Sequence, residues 1–156
     1  RSHFGSRNSR RAAVVLAGLV GMLGGLFKGG AEPNRFRDET PLEDRVQEAQ
    51  RILSKHPDRV PIICAKSARS QLPEIAKNKF LVPGGMLCSE FKFIIFQLIQ
   101  EASGEGMASD QTIYLFIGST VPKSTALMSD LYAQQKDGDG FLYMTFSAEN
   151  TLGQTR

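Results

Sequence analysis

Two cysteines, two histidines and no tryptophan occur among the 156 residues, so the chain holds little of the usual equipment for metal or covalent chemistry. Cys64 and Cys88 lie in apolar surroundings, at no metal-ligand spacing and with no C-x-x-C partner. That argues against a zinc site or a dithiol redox centre and predicts two buried thiols in a reducing compartment. His3 and His56 stand in no recognisable constellation with a nucleophile or carboxylate, and His56 before Pro57 reads as a helix-end residue beside the negative end of the dipole. No catalytic set, cofactor motif or metal site is left, and the chain is expected not to be an enzyme.

A long hydrophobic span is also missing. The nearest approach is AAVVLAGLVGMLGGLF, residues 12–27, behind Arg7, Arg10 and Arg11. It has the outline of a signal-peptide core or a short membrane anchor, yet it is short for a span, four glycines weaken it as a helix, and no small-x-small cleavage site follows before Lys28. The opening RSHFGSRNS reads equally as a leader foreign to the natural chain, so both origins for residues 1–21 stay open. Basic excess is confined to this region. Residues 1–37 carry seven Lys/Arg against Glu32, net +6, whereas the rest carries twelve basic and fifteen acidic residues, net −3. A basic nucleic-acid-binding face on the folded part is therefore not expected, and residues 1–37 are expected to form a disordered arm.

With 41% hydrophobic residues, the remainder suits one core. From Asp38 the pattern changes: Thr40-Pro41-Leu42-Glu43 offers a T-x-x-E capping box with Pro at the first helical position, and Leu42, Val46, Ala49, Ile52 and Leu53 follow at helical spacing. The helix stops before Pro57. VPIICA at 60–65 and KFLVP at 79–83 read as adjacent strands. Phe91, Ile94, Ile95, Leu98 and Ile99 predict the main core helix over 89–102. A loop from Gly104 to Asp110, a strand at 112–117, a short helix at 124–134 and a last strand at 141–146 complete the order. This predicts an α+β fold: a β-grasp, with a four-stranded mixed sheet on one central helix, preceded by one added N-terminal helix. Asp137-Gly138-Asp139-Gly140 invites a calcium reading, but an EF-hand loop needs an oxygen ligand where Phe141 stands and a Glu where Ala148 stands. It is read as a turn.

Four segments, HPDRVPIICAK (56–66), KNKFLVP (77–83), STALMSDLY (124–132) and DGFLYMTFSAENTLG (139–153), resemble the ubiquitin-like autophagy modifiers of the microtubule-associated light-chain and GABA-receptor-associated protein type. The likeness runs from about Asp38 to Gly153. It implies cleavage after Gly153 by a dedicated cysteine protease, with Gln154-Thr155-Arg156 as the removed tail. It further implies activation by E1-like and E2-like enzymes and conjugation to phosphatidylethanolamine on autophagosomal membranes, with the free form in the cytoplasm. Domains of 1–37, 38–153 and 154–156 follow.

The same resemblance implies a groove for aromatic-x-x-aliphatic peptides of cargo receptors, laid as a strand beside the second strand of the sheet. Glu48, Ile52, Pro61, Ile63, Lys79, Leu81 and Phe141 would line an aromatic pocket. Phe80, Val82, Pro83, Met86, Phe91 and Ile94 would line an aliphatic one, and Arg59 would supply a basic contact. A Lys and an aromatic on an edge strand make Lys79 and Phe80 the preferred contacts, offering a charge and an open ring face; Ile63, Phe91 and Ile94 fit the core of any fold of this pattern. Two departures from the family stand out: Phe96-Gln97-Leu98 where basic residues are usual, and a longer Glu101–Gln111 loop. A soluble, unlipidated peptide-binding adaptor of vesicle trafficking, or a protein anchored by residues 12–27, are the alternatives.

Overall fold

The computed structural model describes residues 33–104 and 111–148. The elements are α1 (Pro33–Glu39), α2 (Leu42–Lys55), β1 (Arg59–Lys66), β2 (Lys79–Pro83), α3 (Cys88–Ser103), β3 (Tyr114–Phe116), α4 (Met128–Gln135) and β4 (Leu142–Ser147). The strands form one mixed sheet in the order β2-β1-β4-β3. β1 runs antiparallel to β2, with Ile62 opposite Phe80, and parallel to β4, with Cys64 opposite Met144. β3 runs antiparallel to β4. This is the β-grasp expected from the alternation of strand and helix signals.

Between Arg59 and Lys66, β1 consists of β-branched residues, small residues and Pro61, all buried, so it is covered on both faces. Because side chains alternate across a strand, Val60, Ile62 and Cys64 join one cluster and Ile63 joins another. The first and larger cluster lies under α3, where Phe91, Ile94, Ile95 and Ile99 meet Phe80, Val82, Leu142, Met144 and Phe146. The second holds Ile63, Leu81 and Phe141 against Phe36 of α1 and Ala49 and Ile52 of α2. Both thiols are buried and free, and burial pushes the Cys64 thiol strongly up, so it packs as a neutral hydrophobe. Among the described residues no helix is long and apolar enough to cross a membrane.

Several boundaries differ from the sequence reading, and the strand expected over 112–117 is confined to Tyr114–Phe116. Residues Pro33–Arg37, placed in the arm, are helical and belong to the fold, because Phe36 is only 3% exposed and docks on the sheet. The domain therefore has two helices ahead of β1. The α2 helix begins at Leu42 after Pro41, with no side-chain cap; the carbonyl of Thr40 instead accepts Arg45 Nε at 3.0 Å, and acidic Glu43 and Asp44 complement the dipole. The helix expected from Ser124 starts at Met128. Its preceding residues are used by a neighbour: the carbonyls of Ser124 and Ala126 accept the N–H groups of Ser89 and Cys88 at the start of α3 (2.9 and 2.8 Å).

Gly140 occupies a position that glycine alone fits. Its φ is +96°, and a Cβ built there would stand 2.7 Å from the Cβ of Ala49. The turn into β4 is thus closed directly against α2. Gly140→Ala combines a disfavoured backbone region with a clash, and is expected to lower unfolding free energy by about 1–3 kcal/mol in urea titrations. Ala49→Gly in the same background should recover the steric part only.

Candidate functional site

β2 is an edge strand, and an edge strand presents unpaired backbone N–H and C=O groups that an extended peptide can satisfy. The residues of the two expected pockets sort cleanly by strand alternation. Ile52, Ile63, Leu81 and Phe141 pack together on the α1–α2 face. Pro61 is buried between Val60 and Ile62 of the other face and so belongs with them. Lys79 reaches Glu48 of α2 on this side. Phe80, Val82, Met86, Phe91 and Ile94 pack together on the α3 face, and Pro83 at the end of β2 is half-buried. The two sets flank one strand, and its free edge runs between them.

Two expected contacts are corrected. Phe80 offers no open ring face: it is fully buried and meets Phe91 edge to face, centroids 5.6 Å apart. Its parity in β2 points it under the sixteen-residue α3, the better-covered side. Lys79 is not a free surface charge either. Only 4% exposed, it is paired with Glu48 and stands 4.9 Å from the centroid of the Phe36 ring. Burial lowers its pKa, and the Glu48 carboxylate acts in the opposite direction. Arg59, expected as a basic contact, is half-buried, and among the described residues its buried Nη1 has no hydrogen-bond partner. Phe96, Gln97 and Leu98 are half-buried on α3, and Phe96 and Leu98 lean on the core. Gly153 and residues 105–110 of the long loop lie outside the described residues.

Several residues that shape the site escaped the sequence reading. The Asp139 side chain is fully buried. Its carboxylate accepts Arg45 Nη1 at 2.7 Å, the Tyr143 hydroxyl at 2.5 Å and the Phe141 N–H at 2.9 Å. Helix α2, the turn and β4 are thereby tied at one point, and Phe141 is set at the base of the aromatic set. Asp137 is taken by Arg37 of α1, whose guanidinium also lies 4.2 Å over the Tyr143 ring. The Asp137-Gly138-Asp139-Gly140 turn is therefore a receptor for two helix arginines. A separate concavity of about 520 Å³, lined by Arg37, Ile117, Asp137, Tyr143 and Thr145 among others, lies over the β4–β3 side, away from β2.

A profile of the family described as autophagy protein Atg8, ubiquitin-like, matches residues 44–153. Autophagy-related protein 8b of Arabidopsis thaliana is 41% identical over 122 residues, covering 78% of this chain and 95% of that protein. Autophagy-related protein 8 of Pichia angusta is 43% identical over 121 residues, covering 78% and 92%. Among solved structures, Plasmodium falciparum Atg8 in complex with a Plasmodium falciparum Atg3 peptide matches with a TM-score of 0.65 and 47% identity, over 73% of this chain and 95% of that one. Trypanosoma brucei ATG8 matches with a TM-score of 0.65 and 33% identity, over 72% and 92%.

The Asp139 network carries a pH signature. Burial first, then Asp139, raises the Tyr143 phenol, and the same two causes raise Tyr132. The folded state keeps these protons above about pH 10, where unfolded phenols release theirs. Their contribution is thus complete below that pH and is lost as pH rises through the folded values. Tyr143→Phe should cost about 1.5–3 kcal/mol at pH 7, the range for a hydrogen bond to a charged acceptor. It should also make the alkaline decline between pH 9 and 11 shallower. Urea unfolding across that range reads both effects, and an unchanged decline would remove Tyr143 from the linkage.

Proposed function

Because the chain belongs to the Atg8 ubiquitin-like family of autophagy proteins, we propose that it is a modifier whose C-terminal glycine, Gly153, is exposed by a cysteine protease and joined to phosphatidylethanolamine through E1-like and E2-like enzymes. The chain is the substrate of these enzymes rather than a catalyst. Glycine suits the position, since a chain end without a Cβ threads a narrow cleft and leaves its carbonyl open to attack. Two acyl chains, at about 0.8 kcal/mol per buried CH₂, anchor a soluble domain stably where one chain does not. The cytoplasmic form is thereby moved to the autophagosomal membrane.

The observation that carries the binding half of the proposal is the pair of apolar sets on opposite faces of β2, with a free edge between them. A bound strand alternates its side chains in the same way, so residues three apart in an aromatic-x-x-aliphatic motif point to opposite sides and reach one set each. Cargo receptors carrying that motif are one class of ligand. The E2-like enzyme is another, in keeping with the Atg3 peptide held by Plasmodium falciparum Atg8. Arg59 meets acidic residues that flank the motif. Replacement of the usual basic residues by Phe96-Gln97-Leu98 leaves electrostatic selection weaker than in relatives, because exposed charge contacts contribute only about 0.2–1 kcal/mol each.

Reconstitution tests both halves together. With protease, E1-like and E2-like enzymes, ATP and vesicles containing phosphatidylethanolamine, the chain should lose Gln154-Thr155-Arg156 and become vesicle-bound. Gly153→Ala should do neither while unfolding normally. An excess of soluble aromatic-x-x-aliphatic peptide should slow lipid transfer by competing with the E2-like enzyme. Conjugation of Gly153→Ala would contradict the assignment of the glycine, and transfer at full rate under saturating peptide would separate the groove from the enzyme.

A further inference from the structure

The pocket assigned to a ligand's aromatic side chain already holds an aromatic side chain of this chain. Phe36, in the middle of α1, packs in one cluster with Ile52, Ile63, Leu81 and Phe141, four of the seven aromatic-pocket residues. Its ring meets Phe141 edge to face at 5.3 Å, interplanar angle 79°, and Lys79 Nζ stands 4.9 Å from its centroid. An apolar floor, a T-shaped partner ring and a cation near the π system are the contacts by which such a site would recognise an aromatic anchor.

The element that delivers Phe36 is weakly held. α1 has seven residues, too few to persist as a helix on its own. Beside the Phe36 ring, Arg37 ties it to the domain body, pairing with Asp137 and lying over Tyr143. Those two charged side chains are 39% and 31% exposed, so water competes for the pair. Thr40 follows at once, its N–H bonded to the Phe36 carbonyl at 3.1 Å.

We propose that α1 is a displaceable plug: Phe36 occupies the aromatic pocket in the free protein, and a docking peptide exchanges its own aromatic ring for that of Phe36. The inference rests on the reading of β2 as the docking strand. Exchange of ring for ring lowers apparent affinity in proportion to the plugged fraction, since only the open fraction is competent to bind. It also sets a threshold for ligands. An anchor that buries no more surface than Phe gains little from the pocket, whereas a larger ring gains the difference. Release of Arg37 from Asp137 loosens the plug without altering the pocket.

The absence of tryptophan from the chain makes the exchange directly visible. Phe36→Trp, in the full chain, places a single indole at the plug. Titration with a peptide anchored by biphenylalanine, larger than indole and silent when indole is excited selectively, should shift its emission to the red, to saturation, with the same midpoint that calorimetry gives for binding. Emission unchanged at saturating peptide overturns the proposal. In parallel, Phe36→Ala should bind the peptide about three- to tenfold more tightly than the unaltered chain, and Arg37→Ala should move the same way by a smaller factor. Weaker binding by both variants, each verified as folded, would make Phe36 a wall on which ligands rest and would also overturn it. Leu81→Ala separates this failure from failure of the groove itself. If Leu81→Ala weakens binding while Phe36→Ala does not tighten it, only the plug is wrong; if Leu81→Ala has no effect in either background, the docking strand is misassigned and the plug falls with it.

Discussion

The central constraint is that β1 is apolar on both faces and hydrogen-bonded on both edges. A strand of that kind cannot face water anywhere, so the sheet must be covered twice. One cover is the sixteen-residue α3, which lays Phe91, Ile94, Ile95 and Ile99 over the inner sheet. The other is assembled from α2 and the short α1, contributing Ala49, Ile52 and Phe36. The two covers are unequal, and the difference has functional weight. Beneath the long helix, Phe80 is fully buried edge to face against Phe91. Where the cover is thin, the ring of Phe36 completes the burial of Ile63, Leu81 and Phe141.

Charge placement serves this second face. Taking charges out of water is costly unless each finds a partner, and the buried charges on this side, Lys79 and Asp139, have one. Asp139 receives Arg45 and the Tyr143 hydroxyl, Asp137 receives Arg37, and Glu48 receives Lys79. These pairs join helices to the turn and strand beneath them, fixing α2 against β4 at the point where Phe141 begins the pocket. Two glycine–aspartate pairs that resemble a cation loop thus act as fasteners for arginine. Gly140 lets the turn close at a distance that any side chain would obstruct.

The elements most legible in the sequence are those whose signal is local and long. A β-branched run announces β1, and apolar spacing of three and four announces α3. The C-terminal segment with its aromatic strand places the chain in its family. The expected pocket residues came only from that resemblance, and strand parity in the structure sorts them onto two faces. What could not be read are features that depend on distant partners. Phe36 is the one large apolar residue in α1, with no periodicity to announce a helix. The partners of Asp139 and Asp137 lie 94 and 100 residues away in Arg45 and Arg37. An exposed ring for Phe80 and a free charge for Lys79 were reasonable for an edge strand in isolation. They fail because each side chain is covered by a helix whose position the strand's own sequence does not encode.

Backbone pairing along the outer edge of β2 has a signature independent of side chains. In an added strand, alternate residues direct their amide groups toward the neighbouring strand and the others direct theirs to solvent. Calorimetry with a series of otherwise identical aromatic-x-x-aliphatic peptides, each N-methylated at one backbone amide, measures it directly. Strand addition predicts losses that alternate along the peptide, about 0.5–1.5 kcal/mol or more where a hydrogen bond is removed and little where the amide faces water. Losses without that two-residue period would contradict strand addition at β2.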